Sequence, residues 1–306
     1  MRKPISLRLP FIPPLFPDNL FGHLVATAAP GVEEWRDGAF RCAFRLPHGH
    51  AVVSLRPQVD HVAATMWLGD PRDRDAAVRR CRRLLDLDVD PLAVQAVLGA
   101  DPVLAPLLRQ APGRRVPGSV DAAGFAVRAV LGQQVSTAAA RTLAGRLVAA
   151  HGEPIEDPDG GLTHLFPTPA ALAGLDRASL AMPATRRATL LGLVRALADG
   201  AVVLADDPAG PADASVGTGV GPSAAALAAL PGIGPWTVGM VAMRGLGDPD
   251  AFVATDLGVR QAAGALGLPT SPRELTRRSL AWQPFRAHAV QYLWAVGEHA
   301  VNRMPG

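Results

Sequence analysis

Short alternating runs of apolar and polar residues fill roughly the first 70 residues of the chain. This period of two is typical of half-buried strands. It predicts strands over 39–46, 51–55 and 61–68. The residues between the first two runs, 47–50 (PHGH), suit a hairpin loop, and Asp18 is a candidate N-cap for a helix that runs to about Ala29. The segment is therefore expected to be a small α+β unit with an antiparallel sheet.

From about residue 72 the apolar positions follow a helical period, and no further strand is predicted. Pro, Gly, Asp and Ser punctuate the helical runs. The predicted helices are 72–86, 91–98, 103–110, 120–132, 135–150, 169–174, 184–199, 223–230, 235–245, 257–266, 272–281 and 285–302. The segment 205–223, rich in Gly, Pro, Ala and Asp, is predicted to be a flexible surface insertion. The expected fold class is mostly α with an N-terminal α+β domain.

The composition argues against several classes of protein. Hydrophobic residues make up 49% of the 306 residues, yet no apolar run approaches the ~20 residues that span a bilayer, so no membrane partner is expected. The N-terminus is interrupted by prolines, which argues against a cleavable signal peptide and for a cytoplasmic protein. The two cysteines, Cys42 and Cys81, are too few for a four-cysteine metal site and are expected to be core thiols.

The basic residues are almost all arginine. Of 30 Lys and Arg residues only Lys3 is a lysine, and the net charge is +3. Guanidinium groups bind phosphates but do not form Schiff bases. The small net charge is by itself a weak argument for a nucleic-acid partner.

The segment 230–234 (LPGIG) lies between two helical patterns. Two glycines around one apolar residue allow a tight turn whose backbone N–H groups face outward, and the helix that starts at Pro235 adds its positive N-terminal end. Such a turn can bind a phosphate. The alternative is an ordinary turn between two helices.

Asp256 follows this turn, at the point where an extended apolar piece becomes a helix. It can simply cap that helix. A partly desolvated carboxylate at a helix N-terminus can also stabilise a cationic transition state. The sequence alone leaves both roles open.

Four motifs in order resemble the helix-hairpin-helix DNA glycosylases, and among them the bacterial DNA-3-methyladenine glycosylase II, or AlkA, type. They are 129–136 (AVLGQQVS), 230–237 (LPGIGPWT), 252–259 (FVATDLGV) and 282–287 (WQPFRA). The resemblance covers nearly the whole chain. It implies an antiparallel sheet domain at 1–97, a helical lobe at 122–248 that carries the hairpin, and a second helical lobe built from 98–121 and 249–306.

The resemblance also implies an activity. Enzymes of this kind bend duplex DNA, flip a damaged nucleotide into a pocket between the helical lobes and hydrolyse the bond between base and sugar. The expected partner is double-stranded DNA that contains alkylated bases such as 3-methyladenine and 7-methylguanine, bound by a monomer associated with the nucleoid. The alternatives are a non-catalytic DNA-binding or damage-sensing protein, and a glycosylase for deaminated or oxidised bases.

The resemblance further assigns roles to individual positions. Asp256 matches the catalytic aspartate. The base pocket is assigned Trp294, Trp236 and Met240, and the wedge that fills the gap left by the flipped base is assigned Gln134 with Gln133. Core packing is the alternative for the tryptophans, and a solvated first helical turn is the alternative for Gln134.

Contacts with the DNA backbone are assigned by the same resemblance. The phosphate-binding hairpin comprises Gly232, Ile233, Gly234, Trp236 and Thr237, and further phosphate contacts are assigned to Arg286 and Arg244. Either arginine could instead be an ordinary surface residue. No cofactor and no metal are expected, except that the hairpin carbonyls are a candidate site for a monovalent cation.

Lyase activity requires an amine. Relatives with lyase activity carry a lysine two residues after the second hairpin glycine, and that residue here is Trp236. Because Lys3 is the only lysine, the sequence predicts a monofunctional hydrolase. A four-cysteine run near the C-terminus is missing too, which excludes the iron–sulfur branch of the superfamily.

Overall fold

The structure is a computed structural model that describes residues 3–174, 182–205, 220–297 and 300–306. Its N-terminal part is a five-stranded antiparallel sheet in the order β1-β5-β4-β3-β2. The strands are β1 (Ile5–Pro10), β2 (Glu33–Arg36), β3 (Ala39–Leu46), β4 (Gly49–Pro57) and β5 (His61–Leu68). The three predicted strands are confirmed, and β1 and β2 were missed.

The register of the sheet explains its main apolar face, while Ala43 and Val52 on the other face form a smaller core with Leu162 and Leu165. In β5 every second residue is buried, and β3 and β4 pair so that Leu46 lies opposite Gly49, which leaves Pro47 and His48 as the turn. Helices α1 (Pro17–Ala26) and α2 (Arg74–Leu84) contribute to the same core. Cys42 and Cys81 are buried in that core, and burial raises the pKa of the Cys81 thiol to about 12.

Helix α1 differs from its prediction at both ends. It begins at Pro17 with Phe16 as the N-cap, and it ends at Ala26. Asp18 therefore does not cap the helix. It lies in the first turn, where the negative charge of a carboxylate interacts favourably with the helix dipole.

The rest of the chain is almost entirely helical. Its helices are α3 (Pro91–Leu98), α4 (Ala105–Gln110), α5 (Ala122–Leu131), α6 (Thr137–His151), α7 (Pro169–Ala173), α8 (Ala184–Ala198), α9 (Val220–Ala228), α10 (Pro235–Met240), α11 (Leu257–Ala265), α12 (Pro272–Ser279) and α13 (Arg286–Trp294). Helix α10 continues as one π-helical segment, Val241–Gly245. Every helix predicted beyond 72 overlaps one of these or α2, so the predicted fold class is confirmed.

Three details of the helical part were predicted wrongly. The last predicted helix, 285–302, ends at Trp294. A two-residue strand pair, β6 (Glu153–Pro154) with β7 (His164–Leu165), appears where no strand was predicted. Helix α9 begins at Val220, inside the predicted flexible insertion 205–223, and residues 206–219 of that insertion lie outside the described residues.

Two large apolar cores lie in the described residues, and the predicted domain boundaries stay a prediction. The core under the sheet reaches Leu87 along the chain and includes Val120 beyond it. Val94 and Leu98 on α3 instead belong to the core of the helical part. The described helical residues form one continuous core, so the division of that part into two lobes stays a prediction.

Candidate active site

Asp256 is the N-cap of α11. Its Oδ1 accepts a hydrogen bond from the Val259 N–H at 2.9 Å, and the residue is half-buried. The capping role considered from the sequence is therefore real. Capping uses one oxygen of the carboxylate and leaves the second free of that task.

Two tryptophans donate to the same carboxylate. Trp236 Nε1 lies 2.8 Å from Asp256 Oδ2, and Trp294 Nε1 lies 2.9 Å from Asp256 Oδ1. Trp236 is the second residue of α10 and Trp294 the last of α13, so three separate elements meet at one side chain. Both indoles are half-buried. The structure thus brings together the three residues that the sequence proposed as the centre of the site.

Gly258, in the first turn of α11, permits this meeting and was missed. A Cβ atom at this position would lie 3.2 Å from Asp256 Oδ1 and 3.3 Å from Trp294 Cδ1. Both distances are tighter than ordinary contact, so a larger residue would push the carboxylate and the indole apart. The available signal was the glycine itself, since glycine inside a helix costs stability and needs another reason.

Met240, predicted as a pocket residue, lies one turn beyond Trp236. It is 7% exposed and belongs to the core of the helical part. Its place is therefore that of a core side chain at the end of α10. Contact with a base stays a prediction.

The hairpin depends on Gly232. Its φ is +83°, and a Cβ there would lie 1.9 Å from the Thr189 Oγ1 of α8. Only glycine satisfies both conditions. Gly234 has an ordinary extended conformation, and nothing lies within 4 Å of its would-be Cβ. Ile233 and Thr237 are buried and anchor the turn, while Gly232 itself is exposed.

The wedge loop, residues 133–136 between α5 and α6, is tied to the hairpin. Gln133 Nε2 donates to the Gly232 carbonyl at 3.2 Å and to Thr237 Oγ1 at 3.0 Å. Gln134 is exposed with a φ of +56°, so its side chain is free of core packing. The hairpin and the wedge residues therefore share one surface. The predicted cation is untested, although one of the carbonyls that it would use already accepts the Gln133 bond.

The two arginines predicted to contact phosphates are both engaged elsewhere. Arg286 pairs with Asp250 through Nε and Nη2, each 2.7 Å from a carboxylate oxygen. Arg244 is 4% exposed and donates to the Pro117 carbonyl at 2.7 Å. The structure contradicts a phosphate contact for Arg244, because its guanidinium lies inside the protein. Helical periodicity could not show this, since arginine is rarely buried.

Within the described residues, no group of three or more His, Cys, Asp or Glu side chains is arranged to hold a metal ion. In that same part of the chain, no helix has the length and apolar character needed to cross a membrane.

Solved structures share the overall fold. A 3-methyladenine DNA glycosylase from Archaeoglobus fulgidus superposes with a TM-score of 0.76 at 20% identity, over 95% of this chain and 97% of that one. The 8-oxoguanine glycosylase/lyase of Clostridium acetobutylicum, in its apo form, gives 0.71 at 14% identity over 97% of each chain. The fold is that of the helix-hairpin-helix DNA glycosylases.

Sequence comparisons identify the family. The AlkA N-terminal domain matches residues 6–121. A Mycobacterium tuberculosis protein named probable bifunctional transcriptional activator/DNA repair enzyme AlkA is 52% identical over 98% of this chain, which spans only 59% of that relative's length. DNA-3-methyladenine glycosylase 2 of Escherichia coli is 30% identical over 90% of this chain and 92% of its own. The chain belongs to this AlkA family, and the resemblance inferred from its motifs is confirmed.

Proposed function

We propose that the protein is a DNA repair glycosylase that removes alkylated bases, 3-methyladenine and 7-methylguanine among them, from duplex DNA by hydrolysing the N-glycosidic bond. One observation carries this proposal: the Asp256 carboxylate lies at a helix N-terminus between the indole N–H groups of Trp236 and Trp294. The names of the AlkA-family relatives support the same activity.

The arrangement suits charge stabilisation. Breaking the bond between base and sugar leaves oxocarbenium character on the sugar ring, and a fixed carboxylate stabilises that charge more strongly in a half-buried site than in water. The three N–H donors fix the orientation of the carboxylate before the reaction. Two of them bind Oδ1 and one binds Oδ2. Among the described residues, these three N–H groups are the donors to the Asp256 carboxylate. Oδ2 accepts one of them and keeps a second lone pair for the sugar or for the attacking water.

The indoles suit a cationic base. Each directs its N–H edge at Asp256, so the π face of the ring lies beside the carboxylate and can stack on a flat base. A ring face attracts positive charge, which alkylation of a purine provides. The alkylated base is also an activated leaving group, so no general acid is required for its departure.

The exposed surface formed by the hairpin and the wedge loop would hold the DNA. The hairpin binds a phosphate through backbone N–H groups without reading sequence, and Gln134 enters the stack that the flipped nucleotide leaves. The absence of lysine from every position except Lys3 supports a hydrolase without lyase activity. At the position where lyase relatives carry lysine, Trp236 is bonded to Asp256 instead.

The proposal is tested by measuring base release from duplexes that each contain one lesion: 3-methyladenine, 7-methylguanine, hypoxanthine, uracil or 8-oxoguanine. We expect release of the methylated bases and an intact abasic strand, with no adduct after borohydride reduction. If only deaminated or oxidised bases are released, the substrate class is those bases and not alkylated ones. DNA binding without any release would favour a damage-sensing protein, and a trapped adduct would contradict the monofunctional mechanism.

A further inference from the structure

His23 lies against the proposed pocket although it comes from the sheet part of the chain. It belongs to α1 and is 8% exposed. The centroid of its imidazole is 5.6 Å from that of the Trp294 ring, with 37° between the two planes. A ring from the N-terminal part thus supports one of the two indoles that bind Asp256.

Arg244 determines how this imidazole is protonated. Its Nη1 lies 2.8 Å from His23 Nε2, its Nε donates to the Pro117 carbonyl, and its guanidinium carbon lies 5.0 Å from the centre of the Phe125 ring. A guanidinium only donates hydrogen bonds, so Nε2 accepts and the ring proton is on Nδ1. Although burial, and then the charge of Arg128, lower the pKa of Arg244 to about 9, it stays protonated at neutral pH. The pair is therefore a cation beside a neutral imidazole.

The C-terminal segment fixes α1 against α13. A Cβ on Gly22 would lie 2.3 Å from the Arg303 carbonyl oxygen and 2.8 Å from that of Val301, so the backbones of α1 and of residues 301–303 are in direct contact. In the same segment Asn302 Nδ2 donates to the Trp294 carbonyl at 2.9 Å. The elements that carry His23 and Trp294 are thus connected next to the ring contact, which keeps the two rings in register.

We propose that His23 is a positioning residue of the base pocket: held neutral by Arg244, its ring fixes the Trp294 indole, and through that indole the orientation of the Asp256 carboxylate. The proposal rests on the glycosylase function proposed above. It also has a consequence for substrate class. A neutral imidazole keeps the positive charge of the pair on Arg244, behind His23, whereas an imidazolium would put a second charge directly beside Trp294 and repel a cationic alkylated base.

The protonation state is tested on the wild-type protein without DNA. Uniform ¹⁵N labelling and long-range ¹H–¹⁵N spectra at pH 7 distinguish the neutral tautomers from the cation, and loss of the signal in His23→Gln assigns it among the eight histidines. We expect the neutral form with the proton on Nδ1. An imidazolium, or the proton on Nε2, would overturn the proposal. This readout is independent of enzyme activity.

The positioning role is tested with a pair of variants under single-turnover conditions on a 3-methyladenine duplex. His23→Gln keeps an acceptor for Arg244 but removes the ring, and we expect a roughly tenfold lower rate with unchanged affinity for undamaged DNA, as for a misplaced reacting group. His23→Phe keeps a ring beside Trp294 but leaves Arg244 without its acceptor. It should stay within a few-fold of the wild-type rate while its melting temperature falls.

Each of the other outcomes contradicts a specific part of the proposal. A wild-type rate in His23→Gln shows that the ring does not position Trp294. Parallel losses of rate and of affinity for undamaged DNA show that His23 acts in DNA binding instead. If the wild-type protein releases none of the bases, the proposed function fails. The tautomer measurement then still decides whether Arg244 holds His23 neutral.

Discussion

The proposed pocket around Asp256 and the surface of the hairpin and the wedge loop, which is proposed to hold DNA, are built in different ways. In the pocket, side chains from α10, α11 and α13 are joined by hydrogen bonds and half-buried. On the DNA-holding surface, backbone conformation dominates, with φ of +83° at Gly232 and +56° at Gln134. The pocket thus depends on the identity of its side chains, and the surface depends on the backbone conformation of its turns.

This difference predicts a separation of effects. Changes in the pocket should alter the rate on damaged DNA and leave general DNA affinity intact, because in the proposed function the carboxylate and the indoles act on the flipped nucleotide. Changes on the surface should weaken damaged and undamaged DNA alike, because backbone amides bind phosphates of any sequence.

The largest effect is expected for Asp256→Asn. Its amide oxygen can replace Oδ1 and keep the bonds from Val259 and Trp294, while its NH₂ group would face the Trp236 N–H. The negative charge is lost, so we expect the single-turnover rate to fall roughly 10²-fold or more, with DNA affinity nearly unchanged. Asp90→Asn is the control, because Asp90 is also a helix N-cap, accepting from the Leu92 N–H of α3, and lies outside the site. If Asp256→Asn excises 3-methyladenine at a near-normal rate while folded, Asp256 is only a helix cap.

Trp294→Phe should have the next largest effect. The ring remains, but Asp256 Oδ1 loses its indole donor, and a hydrogen bond to a charged group is worth ~1.5–3 kcal/mol. We therefore expect the rate on damaged DNA to fall about tenfold or more, with undamaged DNA bound as before. Equal losses on both DNAs, measured by anisotropy, would place Trp294 in the core or on the DNA-holding surface and break the comparison.

Gly232→Val tests the opposite side. Valine would have to adopt a positive φ and would clash with Thr189, a strain of ~1–3 kcal/mol, so the turn must move. We expect both damaged and undamaged DNA to bind about tenfold more weakly, with the rate at saturating DNA little changed. Gly234→Ala is the control, since that position is extended and open. A selective loss on damaged DNA would show that the hairpin reads the lesion.

The fold was largely predictable because both periodicities are strong. The alternation in β5 and the punctuated helical runs identified most elements. Strand β1 was missed although Ile5, Leu7 and Leu9 alternate with polar residues, because the prolines at and after its end argue against a strand. Its pairing with β5 makes it one. The end of α13 at Trp294 was missed because apolar residues continue at helical spacing beyond it.

Most site residues could be proposed because a short motif holds several of them together; Trp294, outside these motifs, was assigned through the resemblance alone. The hairpin, Gln134 and Asp256 belong to such motifs. The contact of His23 with Trp294 joins residues 271 positions apart, and the burial of Arg244 depends on Pro117 and Phe125. Neither leaves a periodic trace in the sequence, because both depend on how distant elements pack.

The smallest effect is expected for Gln134→Ala, on the DNA-holding surface. Gln134 is exposed and makes no core contact that a truncation would remove, so a loss of about twofold to threefold in the flipped population is expected, near the ~0.5 kcal/mol typical of surface positions. Fluorescence of 2-aminopurine opposite or beside the lesion reports that population.

Two further variants separate the possible causes of that loss. Alanine keeps the positive φ and its backbone strain, whereas in Gln134→Gly glycine relieves the strain but still lacks the wedge side chain. Gln134→Leu completes the series. If the side chain acts by filling the vacated stack, leucine restores flipping, and if its amide must bond to the orphaned base, leucine does not. A change in the excision rate of already flipped bases in any of the three would mean that the wedge loop reaches into the chemistry, and the separation between pocket and surface would no longer hold.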